Sequence, residues 1–222
     1  MGFNLKKTIT AVSVILALMF VAVPQALATT WGVQQHRSIS GVSYYYQAGV
    51  DGGLSPRAYS SISASKNVGS SNLATQAQLY NGAGFLLASS GWNYGNGSSA
   101  NASVGVSQAG TGYIGKGYSL TKYGGTNYLY NSPTAVVYSY EPYSVNERNM
   151  TYGSLAWCTS PKDAPDLVAV ISDDGTEGYA YYEDVFTGGY SGESFAVYDD
   201  DGATIVGRFT VGDRNMLSAG TF

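Results

Sequence analysis

Short runs in which bulky and small or polar residues alternate, each closed by glycine, serine or asparagine, leave this chain little choice but to form sheets. In SGVSYYYQAGV, Val42, Tyr44, Tyr46 and Ala48 share one face, and Ser43, Tyr45 and Gln47 the other. That is the two-residue period of a strand. In NLATQAQLY, Leu73, Thr75, Ala77 and Leu79 oppose Gln76, Gln78 and Tyr80. The turn NGAG then leads into FLLASSGW as a hairpin, and YIGKGYSLTKY and TNYLY flank Gly124-Gly125 as another. AYSSISASKN (58–67), a stretch near 100–108 and TAVVYSY add further strands, while WGVQQHRSIS ahead of them reads as a short mobile arm. No apolar helical period persists beyond a turn or two. Strands at spacings of roughly 10–15 residues predict an all-β fold, an N-terminal antiparallel β-sandwich or small barrel.

Residues 1–28 read as an export leader. Lys6 and Lys7 precede the apolar run ITAVSVILALMFVAV, Pro24 ends it, and Ala26-Leu27-Ala28 supplies a small-residue cleavage pattern. Cleavage is expected between Ala28 and Thr29. The apolar run falls short of the roughly 20 residues that a spanning helix needs, so no membrane span is expected after processing. Thr29 stands where a lipoprotein would carry Cys, and LSAGTF at the C-terminus has neither an apolar tail nor a basic run. A secreted, extracellular or loosely envelope-associated protein is the expectation.

Composition agrees with sheets: 29 Gly and 20 Tyr, with 12% charged residues. A single Cys158 permits no intramolecular disulfide; a buried inert thiol, a reactive one and an intermolecular link all stay open. Charge divides the chain. Residues 29–140 carry Arg37, Arg57, Lys66, Lys116 and Lys122 against Asp51, a net of +4. Residues 141–222 carry 4 cations against 14 anions, a net of −10. The switch predicts a Tyr/Ser/Gly-rich β domain at 29–140 and a small acidic β domain at 141–222. The positive balance is too thin for nucleic acid, where clustered Lys and Arg are required.

In the acidic half, Asn149–Leu155 and PKDAPD read as loops, and LVAVI is apolar throughout, as a strand buried on both faces would be. Asp173-Asp174-Gly175 turns it back into GYAYY, and FAVY–DDDG–ATIVGRFTV forms a second hairpin. Two hairpins make a sheet too thin to stand alone, so it is expected to pack on the first domain. The series TYGS (151–154), PDLV (165–168), DGTEGYAYYEDV (174–185) and VYDDDGATIVGRFTV (197–211) resembles a short C-terminal module of uncharacterised extracytoplasmic proteins of Gram-positive bacteria. The resemblance implies an envelope or secreted setting and a small β fold, and carries no activity.

No catalytic residue is assigned. His36 is the only histidine, lies in the expected arm, and has no GxSxG element to complete a triad. Asp199-Asp200-Asp201-Gly202 lacks the alternating ligands and closing Glu of a calcium loop, so no metal and no cofactor are expected. Paired carboxylates for glycoside hydrolysis would have to come from Glu141, Glu147, Glu177, Glu183 or Glu193, mostly near turns. The aromatic residues Tyr44, Tyr45, Tyr46, Trp92 and Tyr94 are the ligand-binding candidates. Three consecutive tyrosines on one strand must place rings on both faces, and SGWNYGNGSS is turn-like. Exposed Tyr and Trp among Ser, Asn and Gly form contact surfaces of low entropic cost. The expected role is non-catalytic binding of cell-wall glycan or an extracellular protein. A membrane-active antibacterial factor and a secreted hydrolase are the alternatives.

Overall fold

A computed structural model describes residues 29–52, 55–107, 112–133, 143–158, 160–187 and 190–213. The leader with Ala28, the expected strand TAVVYSY, the charge boundary near 140 and the C-terminal LSAGTF lie outside these residues.

The first sheet holds β1 (Thr30–Trp31), β2 (Gln35–Ile39), β3 (Val42–Asp51), β4 (Arg57–Ala64) and β8 (Ser99–Gly105), all antiparallel. β1 and β2 both pair with the same edge of β3, through Thr30↔Val50 and Gln35↔Tyr46. The segment expected to be a mobile arm is therefore this edge. A two-residue turn at Ser40-Gly41, with φ of 48° and 75°, folds it back. Its polar residues misled the reading because β2 is exposed along nearly its whole length.

Against this sheet packs a second, which begins with β5 (Leu73–Tyr80), β6 (Leu86–Ser89), β7 (Asn93–Tyr94), β9 (Ile114–Tyr123) and β10 (Thr126–Pro133). Leu79 and Ala77 of β5 meet Ala58, Ala102 and Val104 of the first sheet. Between the layers, the hydroxyls of Ser60 and Thr75 lie 2.6 Å apart. The approach is close because β9 offers no side chain there. A Cβ at Gly115 would stand 2.5 Å from the Gly49 carbonyl oxygen.

The acidic half supplies β11 (Ser144–Val145), β12 (Thr151–Gly153), the 3-10 turns η1 (Leu155–Trp157) and η2 (Pro161–Asp163), β13 (Leu167–Ile171), β14 (Glu177–Tyr181), α1 (Tyr182–Thr187), β15 (Ser194–Tyr198) and β16 (Ile205–Thr210). All five residues of β13 are buried, as the run LVAVI requires. It pairs antiparallel with β14 and parallel with both β12 and β6, the last through Val170↔Leu86. The second sheet thus runs without a break, β10-β9-β5-β6-β13-β14-β15-β16, through both charge halves. The fold is all-β, of sandwich type, and the sheets do not close into a barrel. The expected hairpins β13–β14 and β15–β16 are present. Within the expected loops, Thr151–Gly153 forms a strand and Pro161–Asp163 a 3-10 turn, and another 3-10 turn, Leu155–Trp157, begins at the end of the first. α1 is too short for its period to register in the sequence.

The outward face of β5 and β9 is polar yet covered. Gln76, Gln78, Tyr80, Lys116 and Tyr118 are all at most 1% exposed. η1, Cys158 and α1 of the acidic half form the cover, with the Phe186 ring edge-on to Tyr118 at 4.8 Å.

Candidate binding surface

The aromatic candidates separate by strand parity. Tyr44 and Tyr46, 1% and 5% exposed, are core residues with Val42, Ile62 and Leu73. Tyr46 stacks on Tyr130 at 4.8 Å. Burial, with the Tyr123 hydroxyl next in importance, pushes the Tyr44 phenol pKa up. Neither ring has a face left for a ligand, which removes both from the candidate set. Tyr45, on the other face, is exposed and lies 5.1 Å from the His36 ring. Trp92 is half-buried: its indole N–H donates to the Phe186 carbonyl at 2.8 Å, and its ring meets Phe186 edge-on. It anchors α1, in a cluster separate from that of Tyr44 and Tyr46.

Tyr94 leads elsewhere. It is exposed on β7, and the Lys122 ammonium sits 5.4 Å from its ring centroid. Lys122 in turn lines a cleft of about 450 Å³ at one end of the sandwich, with Ser40, Val42, Lys66, Asn67, Val68, Asn72, Tyr123, Gly124 and Gly125. Three turns build it. The first is the Ser40-Gly41 turn, and the second is Gly124-Gly125, with φ of 56° and 79° between the paired Tyr123 and Thr126. Two positive φ values make this the mirror-image hairpin turn that glycine accepts cheaply.

The third turn spans residues 65–72 and is tied down from inside. Asn67 Oδ1 accepts the Gly69 N–H at 2.8 Å, Asn72 Nδ2 donates to the Val68 carbonyl at 2.6 Å, and the Lys122 N–H donates to the Asn72 carbonyl at 2.9 Å. Ser71 is held at φ 63°. Among the described residues, three non-glycine residues have positive φ, and two of them, Ser40 and Ser71, lie in these turns. Backbone held in sparsely populated conformations concentrates at functional sites.

The cleft is cationic. No carboxylate is among the described residues that line it. Asp51 stands at the far end of β3, where it accepts the Tyr59 hydroxyl at 2.5 Å. Arg57, at that same far end, is ion-paired with Asp213 at 3.0 Å. Tyr123 presents a ring 46% exposed at the cleft's edge. Sequence reading reached Tyr94 but missed Tyr123, Lys66, Lys122, Asn67 and Asn72. Only the composition of each turn signalled them, since residues about 80 positions apart meet here.

The acidic half has its own cleft, of about 500 Å³, containing Asp166, Glu183 and Asp184. Asp166 is occupied in structure, accepting both the N–H and the hydroxyl of Thr151 at 2.7 and 2.8 Å. Burial, then the Glu183 charge, raises the Asp184 pKa. The Asp199–Asp201 turn is self-satisfied: the Asp201 carboxylate accepts the N–H groups of Thr204 and Ala203 and the Thr204 hydroxyl, which lowers its pKa to about 2. Among the described residues no group of three His, Cys, Asp or Glu side chains is arranged to hold a metal. No described helix is long and apolar enough to cross a membrane.

One perturbed group lies outside both clefts. Lys116, one of the five cations counted for residues 29–140, is fully buried, and desolvation lowers its pKa to about 7. Its amine donates to the carbonyls of Leu155 and Cys158, so it binds the two halves together and is out of reach of any ligand. Cys158 is buried too, its thiol donating to the Ser160 carbonyl at 2.7 Å.

No protein-family model, curated protein or solved structure matches this chain.

Proposed function

We propose that this is a secreted, non-catalytic protein that binds a glycan of its extracellular or envelope surroundings at the turn-built cleft. The observation that carries the reading is the exposed Tyr123 ring beside Lys122 and Lys66, on turns whose conformation is fixed by their own hydrogen bonds. Such a surface needs little ordering on binding, and preorganisation of this kind converts contact into affinity. The export leader and the likeness of the C-terminal blocks to extracytoplasmic modules support the setting. The acidic half contributes the cover over β5 and β9 and the extension of the sheet.

Purified protein starting at Thr29 should co-sediment with isolated cell walls or insoluble extracellular glycan, and Tyr123→Ala should reduce the bound fraction several-fold. Tyr128→Ala should leave it unchanged, because that ring is exposed on β10 outside the cleft. Absence of binding to every glycan preparation, or steady release of soluble sugar by the protein, would overturn the proposal.

A further inference from the structure

We infer that the cleft's ligand is an anionic glycan, a chain of pyranose rings bearing carboxylate groups; this rests on the binding role proposed above and specifies its chemistry. Three features of the cleft converge on that class. Tyr123 supplies an open aromatic face, which suits the apolar C–H side of a sugar ring. Lys122 and Lys66 supply two ammonium groups, and none of the described residues lining the cleft is a carboxylate that would neutralise them. A neutral sugar gains nothing from these two charges, whereas a uronate-type chain places one anionic group on each ring.

The geometry assigns separate roles to Tyr94 and Tyr123. Lys122 Nζ lies over the Tyr94 ring at 5.4 Å, so that ring is engaged by the ammonium. Tyr94 is a positioning residue that holds Lys122 toward the cleft, while Tyr123 is the stacking platform. None of the described residues of the acidic half lines the cleft. Among the described residues, the ion pair between the halves uses Arg57 and Asp213, at the opposite end of β3 and β4.

The test is titration calorimetry of the protein from Thr29 onward with three probes of matched length: an oligogalacturonate, a neutral cello-oligosaccharide and poly(glycerol phosphate). The oligogalacturonate should bind at least tenfold more tightly than the neutral chain, and several-fold more weakly when salt is raised from 50 to 300 mM. Lys122→Gln and Lys66→Gln should each weaken it about fivefold or more. Tyr123→Ala should weaken it about tenfold, and Tyr123→Phe should restore most of the loss. Tyr94→Leu should flatten the salt dependence as Lys122→Gln does, a change that loss of a stacking surface alone would not produce.

Circular dichroism and melting curves confirm that each variant is folded. Equal affinity for the neutral chain, with the lysine variants unaffected, overturns the anionic class and leaves the wider binding role standing. Poly(glycerol phosphate) binding as tightly, with Tyr123→Ala unaffected, overturns the glycan assignment in favour of charge alone. Binding of none of the probes overturns the inference. If co-sedimentation with walls fails as well, the wider role falls with it.

Discussion

Lys116, in the faintly basic half, donates its buried amine to the main-chain carbonyl of Cys158 in the acidic half at 2.5 Å. The second acceptor is the Leu155 carbonyl. A neutral amine has two N–H groups, and the pair of carbonyls accepts both, whereas the charged form would hold a third proton out of water with no carbonyl to take it. The cover on β5 and β9 therefore depends on a lysine that prefers to be uncharged.

This fixes a pH dependence. Between about 7 and the ordinary lysine value of 10.5, Lys116 is neutral in the fold and charged in the unfolded chain. The unfolded state then binds the extra proton, and stability rises with pH across that window. From pH 7 to 9 the gain is up to roughly 3 kcal/mol, or several degrees in melting temperature. Above pH 10 the buried phenols of Tyr80 and Tyr118, held protonated by desolvation, oppose it. Melting curves at pH 7 and 9 should show the rise in the parent protein and its loss in Lys116→Met.

Glycine at 115 is required by space. Gly115→Ala drives a methyl group into the Gly49 carbonyl oxygen and should cost about 2–4 kcal/mol by chemical denaturation. Gly125→Ala faces open space and meets only the strain of φ +79°, so about 1 kcal/mol is expected.

Asp213 accepts from both terminal nitrogens of Arg57 and from the Gly105 N–H. Both charged side chains are well exposed, at 36% and 60%. Solvent screening holds the expected loss in Asp213→Asn to within about 1 kcal/mol, despite the bidentate geometry. The same denaturation series measures it.

The Asp201 turn should be acid-resistant. Its carboxylate pKa is lowered by backbone and side-chain donors, so the turn's contribution is present above the ordinary carboxylate value of 3.8 and disappears only as pH falls through about 2. Carboxyl chemical shifts followed by NMR from pH 5 to 1.5 should show Asp201 titrating at about 2, below the ordinary carboxylate value of 3.8.

The alternations at Val42–Ala48 and Leu73–Tyr80 and the glycine pair at 124–125 carried most of the sandwich, because local period and turn chemistry decide which face a strand buries. What stayed hidden was non-local. Val170 meets Leu86 across 84 positions, and no pattern in either segment names its partner. Gln76, Gln78 and Lys116 are buried polar residues, and nothing in β5 or β9 announces that η1 and α1 will cover them. The proposed binding surface was partly visible for the same reason. Tyr94 stood out by composition, whereas Lys66, Lys122 and Tyr123 acquire meaning only when three separate turns converge.

Amide chemical-shift mapping with an oligogalacturonate is the decisive measurement for the cleft. Perturbations are expected to be confined to residues 40–43, 66–72, 94 and 121–126, and to be lost together in Tyr123→Ala. Perturbations centred instead on Asp166 and Tyr181–Asp184, or spread evenly over the surface, would contradict this expectation.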